Sequence, residues 1–218
     1  MGRWTATWAE PARPLCRRRS SGALGPVPAT DEIYEKYLQK AIVEINDLAH
    51  EVAAAGGGRI PIVGSGHPLA DVMLLKHRPQ PAEVQEGVAF YGRAGQAILK
   101  SLQRLHVDPM AVYGTNCLKF AAGDEEESRP FLTRELHIVQ PKLIVPMGEG
   151  AVECLNSLEF PLADAVEYKP GELQRFTATV QALVVPDIDT SLDEAPAKTQ
   201  FWNAFKPLGA WWAELPPY

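Results

Sequence analysis

The sequence predicts an α/β fold built around a mostly parallel sheet. Short apolar runs suited to buried strands recur at residues 72–75, 111–116 and 143–147. Longer segments with apolar residues three and four positions apart stand between them. The connections are short, and this alternation is the pattern of helices covering a parallel sheet.

Each element has a local reason. Residues 1–30 are rich in Arg, Pro, Ser and Gly and lack either periodicity, so they read as a disordered or loosely attached basic arm. Residues 31–218 then read as a single domain. Thr30 and Asp31 are helix-capping types, and Ile33, Tyr37, Leu38, Ile42, Ile45, Leu48, Ala49 and Val52 follow at helical spacing. Gly56-Gly57-Gly58 stops that helix. A helix over 92–106 turns Ala94, Ile98, Leu99, Leu102 and Leu105 inward. A helix over 126–139 carries acids in its first turn, where the helix dipole favours them. Helix 149–158, strands 176–180 and 182–185, and a last helix over 195–208 complete the order. Trp202, Trp211 and Trp212 are suited to packing that last helix onto the core.

Composition bounds the function. Hydrophobic residues make up 46% and charged residues 22%, as in a soluble globular protein, and no apolar run approaches bilayer length. Cys16, Cys117 and Cys154 are too few and too scattered for a disulfide framework or a metal-ligand pair, which fits a cytoplasmic setting. The net charge is -6. Five of the 21 basic residues and only one of the 27 acidic ones fall in the first nineteen positions, so the remainder is strongly acidic. Duplex binding relies on Lys and Arg meeting phosphates, so such a body is a poor general DNA binder.

Three motifs carry a family resemblance. Val63-Gly64-Ser65-Gly66-His67-Pro68-Leu69-Ala70-Asp71-Val72-Met73-Leu74-Leu75 runs on to Phe90-Tyr91-Gly92-Arg93-Ala94-Gly95. Val112-Tyr113-Gly114-Thr115-Asn116-Cys117-Leu118-Lys119 follows, then Pro141-Lys142-Leu143-Ile144-Val145-Pro146-Met147-Gly148. In order and spacing the chain resembles the uracil-DNA glycosylase superfamily, nearest its iron–sulfur branch, over about residues 59–208. The resemblance implies a three-layer α/β/α sandwich with a central, mostly parallel four-stranded sheet. It also implies hydrolysis of the N-glycosidic bond of uracil in DNA.

Its site residues divide into kept and replaced. Phe90 falls on the family's base-stacking phenylalanine and Asn116 on its uracil-reading asparagine, whose amide both donates and accepts. The family's water-activating carboxylate falls on His77, within Lys76-His77-Arg78-Pro79-Gln80. There an imidazole has a base's range but not a carboxylate's geometry. The stretch also reads as an exposed basic loop. The family's late histidine, which stabilises charge leaving on the base, falls on Asp189, or with one gap on Asp187. A carboxylate there repels an oxyanion, and Asp189-Thr190-Ser191 equally reads as a helix N-cap. The branch's cluster takes four cysteines. Two of those positions are Phe120 and Ser128, and the early Cys-x-x-Cys pair is missing, so no iron–sulfur cofactor and no metal is expected. The acidic loop up to Glu127 would repel a phosphate backbone.

The expectation is therefore a diverged superfamily member. It keeps a base-binding pocket at Phe90 and Asn116 but has lost ordinary uracil excision, with at most weak affinity for a uracil-like base or DNA. Two alternatives stand beside it. One is an active DNA glycosylase with rearranged catalysis through His77 or Asp189. The other is a protein-interaction or scaffold role.

Overall fold

The computed structural model describes residues 29–158 and 160–215. The expected N-terminal arm, with Cys16, lies outside these residues, apart from Ala29 and Thr30. Those two open helix α1 (Ala29–Ala55), so the helix starts ahead of the expected Thr30–Asp31 cap. It ends as predicted at the glycine run, where Gly57 and Gly58 take positive φ values of 57° and 94°.

The sheet has six strands in the order β1-β3-β2-β4-β6-β5. These are β1 (Ser65–Gly66), β2 (Val72–Lys76), β3 (Val112–Asn116), β4 (Leu143–Met147), β5 (Leu173–Arg175) and β6 (Gln181–Leu183). The four central strands, β3-β2-β4-β6, are parallel throughout. The short β1 and β5 are added antiparallel at the two edges. The strand expected at 176–180 is instead the turn joining β5 to β6, where the N–H groups of Phe176 and Thr177 both donate to the Val180 carbonyl. Apolar content alone made that turn resemble a strand.

The remaining helices are α2 (Pro81–Glu86), α3 (Arg93–Arg104), α4 (Glu125–Val139), α5 (Glu149–Ser157), α6 (Ile188–Ser191), α7 (Ala195–Phe205) and α8 (Pro207–Ala213). The expected final helix over 195–208 is thus two helices, broken at Pro207, whose ring removes a backbone donor.

Side chains alternate across each strand, so every strand serves two cores. Val72, Leu74, Val112 and Val145 join Ala94, Ile98 and Leu102 of α3 and Phe201 and Phe205 of α7. Met73, Leu75, Tyr113 and Ile144 join Leu132 and Leu136 of α4 and Val152 and Leu155 of α5. The result is three layers. Ala41, Leu48 and Val52 of α1 form a smaller cluster with Phe120 and Ile138. The start of the apolar stripe on α1 does not share in it: Ile33 and Tyr37 are exposed. No helix among the described residues is long and apolar enough to cross a membrane.

Pairing register aligns the carboxyl ends of the central strands. Lys76 at the end of β2 stands opposite Asn116 of β3 on one side and Met147 of β4 on the other. Parallel sheets open a ligand crevice at this end.

Candidate base-recognition site

Alternation along β2 settles where the expected loop residues go. Val72 and Leu74 face the α3/α7 side, and Lys76 continues that row. Met73 and Leu75 face the α4/α5 side, and His77 continues theirs. The two neighbours therefore point to opposite faces of the sheet. Lys76 is not part of an exposed loop: it is the last residue of β2 and only 2% exposed. Of the three expected basic residues, Arg78 alone is exposed.

Lys76 is the centre of a charge cluster. Its Nζ lies 2.8 Å from Glu83 Oε2, 2.7 Å from Asp189 Oδ2 and 5.3 Å from the centroid of the Phe90 ring. A lone buried ammonium would be prohibitively costly, and two carboxylates and a ring face offset that cost. Glu83 is fully buried. It also accepts the N–H of Gln80 at 2.6 Å, as the third helical residue of a capping box does at the start of α2, and the N–H of Phe90. One cation and two carboxylates leave the cluster with one excess negative charge.

Phe90 is held in an unfavourable backbone conformation. Its φ is 60°, in the left-handed region that costs a non-glycine residue about 1–2 kcal/mol. Its surroundings enforce it. A Cβ on Gly95 would stand 2.0 Å from the Phe90 carbonyl oxygen, and one on Gly114 would stand 2.6 Å from the ring. Gly95 makes room for the Phe90 carbonyl and Gly114 for its ring against β3. The Glu83 carboxylate fixes the Phe90 amide from the other side.

Asn116 shares this face of β3 with Gly114, two residues before it. It is fully buried, and neither its Nδ2 nor its Oδ1 has a hydrogen-bond partner among the described residues. Buried polar groups are nearly always paired, and leaving one unpaired costs about 1–3 kcal/mol. An amide with both atoms free can meet a group that accepts and donates side by side.

The structure separates the two aspartates left open by the sequence. Asp187 is the N-cap of α6, its Oδ1 accepting the N–H of Asp189 at 2.7 Å and of Thr190 at 3.4 Å. Asp189 does not cap. It sits in the first turn and reaches Lys76, so its charge is met by a cation rather than standing alone. Nearby, burial and then the charges of Glu149 and Asp187 push the Tyr168 hydroxyl above its ordinary range.

His77 is on the other face. Its Nε2 lies 2.6 Å from Glu125 Oε1, and its ring lies against Gly150, where a Cβ would come within 2.4 Å of Nδ1. The structure thus brings Phe90, Asn116 and Asp189 to one side of the sheet and leaves His77 out. The acidic loop has local work: Asp124 caps α4 by accepting the N–H of Glu127 at 2.7 Å, and Glu127 pairs with Arg59. The Arg59 guanidinium lies 4.2 Å from the centroid of Phe120.

Sequence reasoning missed Lys76 and Glu83. One signal was present: Gln80-Pro81-x-Glu83 has proline at the first helical position and a carboxylate at the third, a helix start. Lys76 lacked any such mark, because its partners are 7 and 113 residues away.

The residues present do not fit an iron–sulfur cluster. Phe120 is fully buried under Arg59, and Ser128 Oγ accepts the Lys119 N–H at 3.1 Å. The described cysteines, Cys117 and Cys154, are buried together in the α4/α5 core, where burial and the neighbouring Cys154 hold the Cys117 thiol well above its ordinary range. A neutral thiol in that setting is a core residue and not a ligand.

Comparison with known proteins agrees with the geometry. A family model described as the uracil DNA glycosylase superfamily matches residues 63–206. A type-4 uracil-DNA glycosylase of Archaeoglobus fulgidus is 24% identical over 159 residues, which are 68% of this chain and 80% of that protein. The type-4 enzyme of Sulfurisphaera tokodaii is 30% identical over 105 residues, 44% of this chain and 48% of the relative. That of Pyrobaculum aerophilum is 28% identical over 105 residues, 44% and 54% respectively. These last two alignments span about half the length of the relatives. The matched range holds Lys76, Phe90, Asn116 and Asp189 together, and the chain belongs to the uracil DNA glycosylase superfamily.

Proposed function

We propose that this protein recognises a uracil-like base through Asn116 and Phe90 and does not carry out ordinary uracil excision. The observation that carries this reading is the contrast at one strand end. Asn116 keeps a buried amide with no partner, while Lys76, Glu83 and Asp189 fill the neighbouring space with a closed ion cluster. Recognition needs an amide edge and a ring, and the unpaired Asn116 amide and the neighbouring Phe90 are the groups that favour this reading. Excision needs an activated water and a group that stabilises negative charge on the departing base. The cluster has excess negative charge, Asp189 is tied to Lys76, and His77 is engaged with Glu125 across the sheet. The excess negative charge of the cluster also disfavours a phosphate backbone, so a free base is the better ligand.

The alternative with an active glycosylase places His77 as the base. His77 lies on the opposite face from Phe90, which weighs against it. One experiment separates the readings: single- and double-stranded oligonucleotides containing uracil are incubated with the protein and then treated with alkali. The expected result is intact strands. Alkali-labile sites that vanish in Asn116→Ala would overturn the proposal in favour of an active enzyme.

A further inference from the structure

A cavity of about 350 Å3 opens between the middle of α1 and the β1/β3 edge of the sheet. Its walls include Ile45, Leu48 and Val52 of α1 and Ile62, and Met110, 64% exposed, stands among its lining. Its floor is polar. Tyr113, Lys119 and Glu135 line it, each at most 4% exposed. These groups are tightly joined. Tyr113 Oη donates to Glu135 Oε1 at 3.1 Å and Thr115 Oγ1 to Glu135 Oε2 at 2.8 Å. Lys119 Nζ donates to Thr115 Oγ1 at 2.7 Å and to Glu135 Oε2.

Counting donors leaves something over. An ammonium has three N–H groups, and two of those on Lys119 are committed. Tyr113 Oη donates and keeps its lone pairs. His67 also lines the cavity, and its Nδ1 accepts the Leu69 N–H at 3.2 Å, so its remaining proton in the neutral ring is on Nε2. The Lys119 and Glu135 charges cancel. A cavity with apolar walls and a few convergent polar groups at its floor is the common form of a small-molecule site, and this volume is at the lower end of that range.

We infer that this cavity is a second ligand site, taking a compact, neutral, largely apolar molecule of aromatic-ring dimensions whose accepting oxygen meets Lys119. The apolar walls exclude a phosphate or a sugar, and the balanced floor favours neither an anion nor a cation. Its polar floor lies on the opposite face of the sheet from Phe90, while Ser65 and Pro109 border both this cavity and the narrow one beside Phe90. Tyr113 and Glu135 belong to the α4 face of the sheet, whereas Phe90 lies on the other.

Prodan, a neutral naphthyl ketone whose emission shifts to the blue in apolar surroundings, is a suitable probe. The intact protein is expected to bind it saturably at one site with a blue shift. Ala49→Trp, which fills the cavity from a half-buried position on α1, is expected to weaken binding at least tenfold while thermal unfolding stays cooperative. Phe90→Ala is expected to leave binding unchanged. A butylnaphthalene lacking the ketone is expected to displace the probe at least tenfold less well than prodan competes with itself. Absent or unsaturable binding overturns the inference. So does binding that survives Ala49→Trp, or that is lost in Phe90→Ala, which would put the probe in the base-recognition site. Equal displacement by the hydrocarbon would remove the accepting oxygen from the ligand's description.

Discussion

Lys76 and Lys119 are both buried beside the same sheet, at 2% and 1% exposure, yet their surroundings are opposite in kind. On the α4 face, Lys119 meets one carboxylate, Glu135. Tyr113 and Thr115 complete that carboxylate's shell, and formal charge sums to zero. On the α3 face, Lys76 meets two carboxylates, charge does not cancel, and Asn116 beside it has no partner. A network built for stability tends to satisfy its members, and a leftover amide and a leftover formal charge mark the second network as the candidate site.

The comparison can be broken most forcefully at Glu135. Glu135→Ala leaves the buried Lys119 charge without its carboxylate and is expected to lower unfolding free energy by about 3–5 kcal/mol in urea titration. A loss below about 1 kcal/mol would mean that Lys119 escapes to solvent. Lys76→Met leaves two carboxylates adjacent and one of them fully buried. The expected loss is about 3 kcal/mol, at the lower end of that range because Asp189 is partly exposed. Adding Asp189→Asn to it should recover part of the loss, since the two residues are coupled and not additive.

Asn116→Leu is expected to act in the other direction. It replaces an unpaired buried amide with an apolar group of similar size, so the protein should gain about 1 kcal/mol while losing base recognition. Destabilisation would mean that the amide has a structural partner. The smallest expected effect is at His67. Burial lowers its pKa below 6.5, so the unfolded state binds a proton that the folded state refuses. Its contribution is present above pH 6.5 and is lost as pH falls through the folded value. Unfolding temperature measured across that window should decline less in His67→Gln than in the parent protein.

How much of this was readable in the sequence follows from the range of each signal. The edges of β4 and of α4 were legible to within a residue, because apolar runs and acid-rich first turns are local. Phe90 and Asn116 were named from motif spacing, and the structure puts both on the α3 side of the sheet. Lys76 and Glu83 were not, since a lysine after an apolar run reads as the beginning of a loop until the strand's alternation is extended by one more residue. Asp189 looked repulsive for the same reason: the cation that meets it is 113 residues away. The turn at Phe176–Val180 was misjudged because burial of Phe176 in the core gives a hairpin end the composition of a strand.

If the Asn116 amide is kept free for a base edge, uracil must change its surroundings. The direct measurement is the side-chain amide signal of Asn116, assigned by its loss in Asn116→Leu and followed by proton–nitrogen correlation as uracil is added. The account predicts a saturable downfield shift of that signal, with the protons slowed in exchange, and a smaller response to dihydrouracil, which stacks less well on Phe90. A signal that stays in place at saturating uracil, or one already hydrogen-bonded in the free protein, would contradict it.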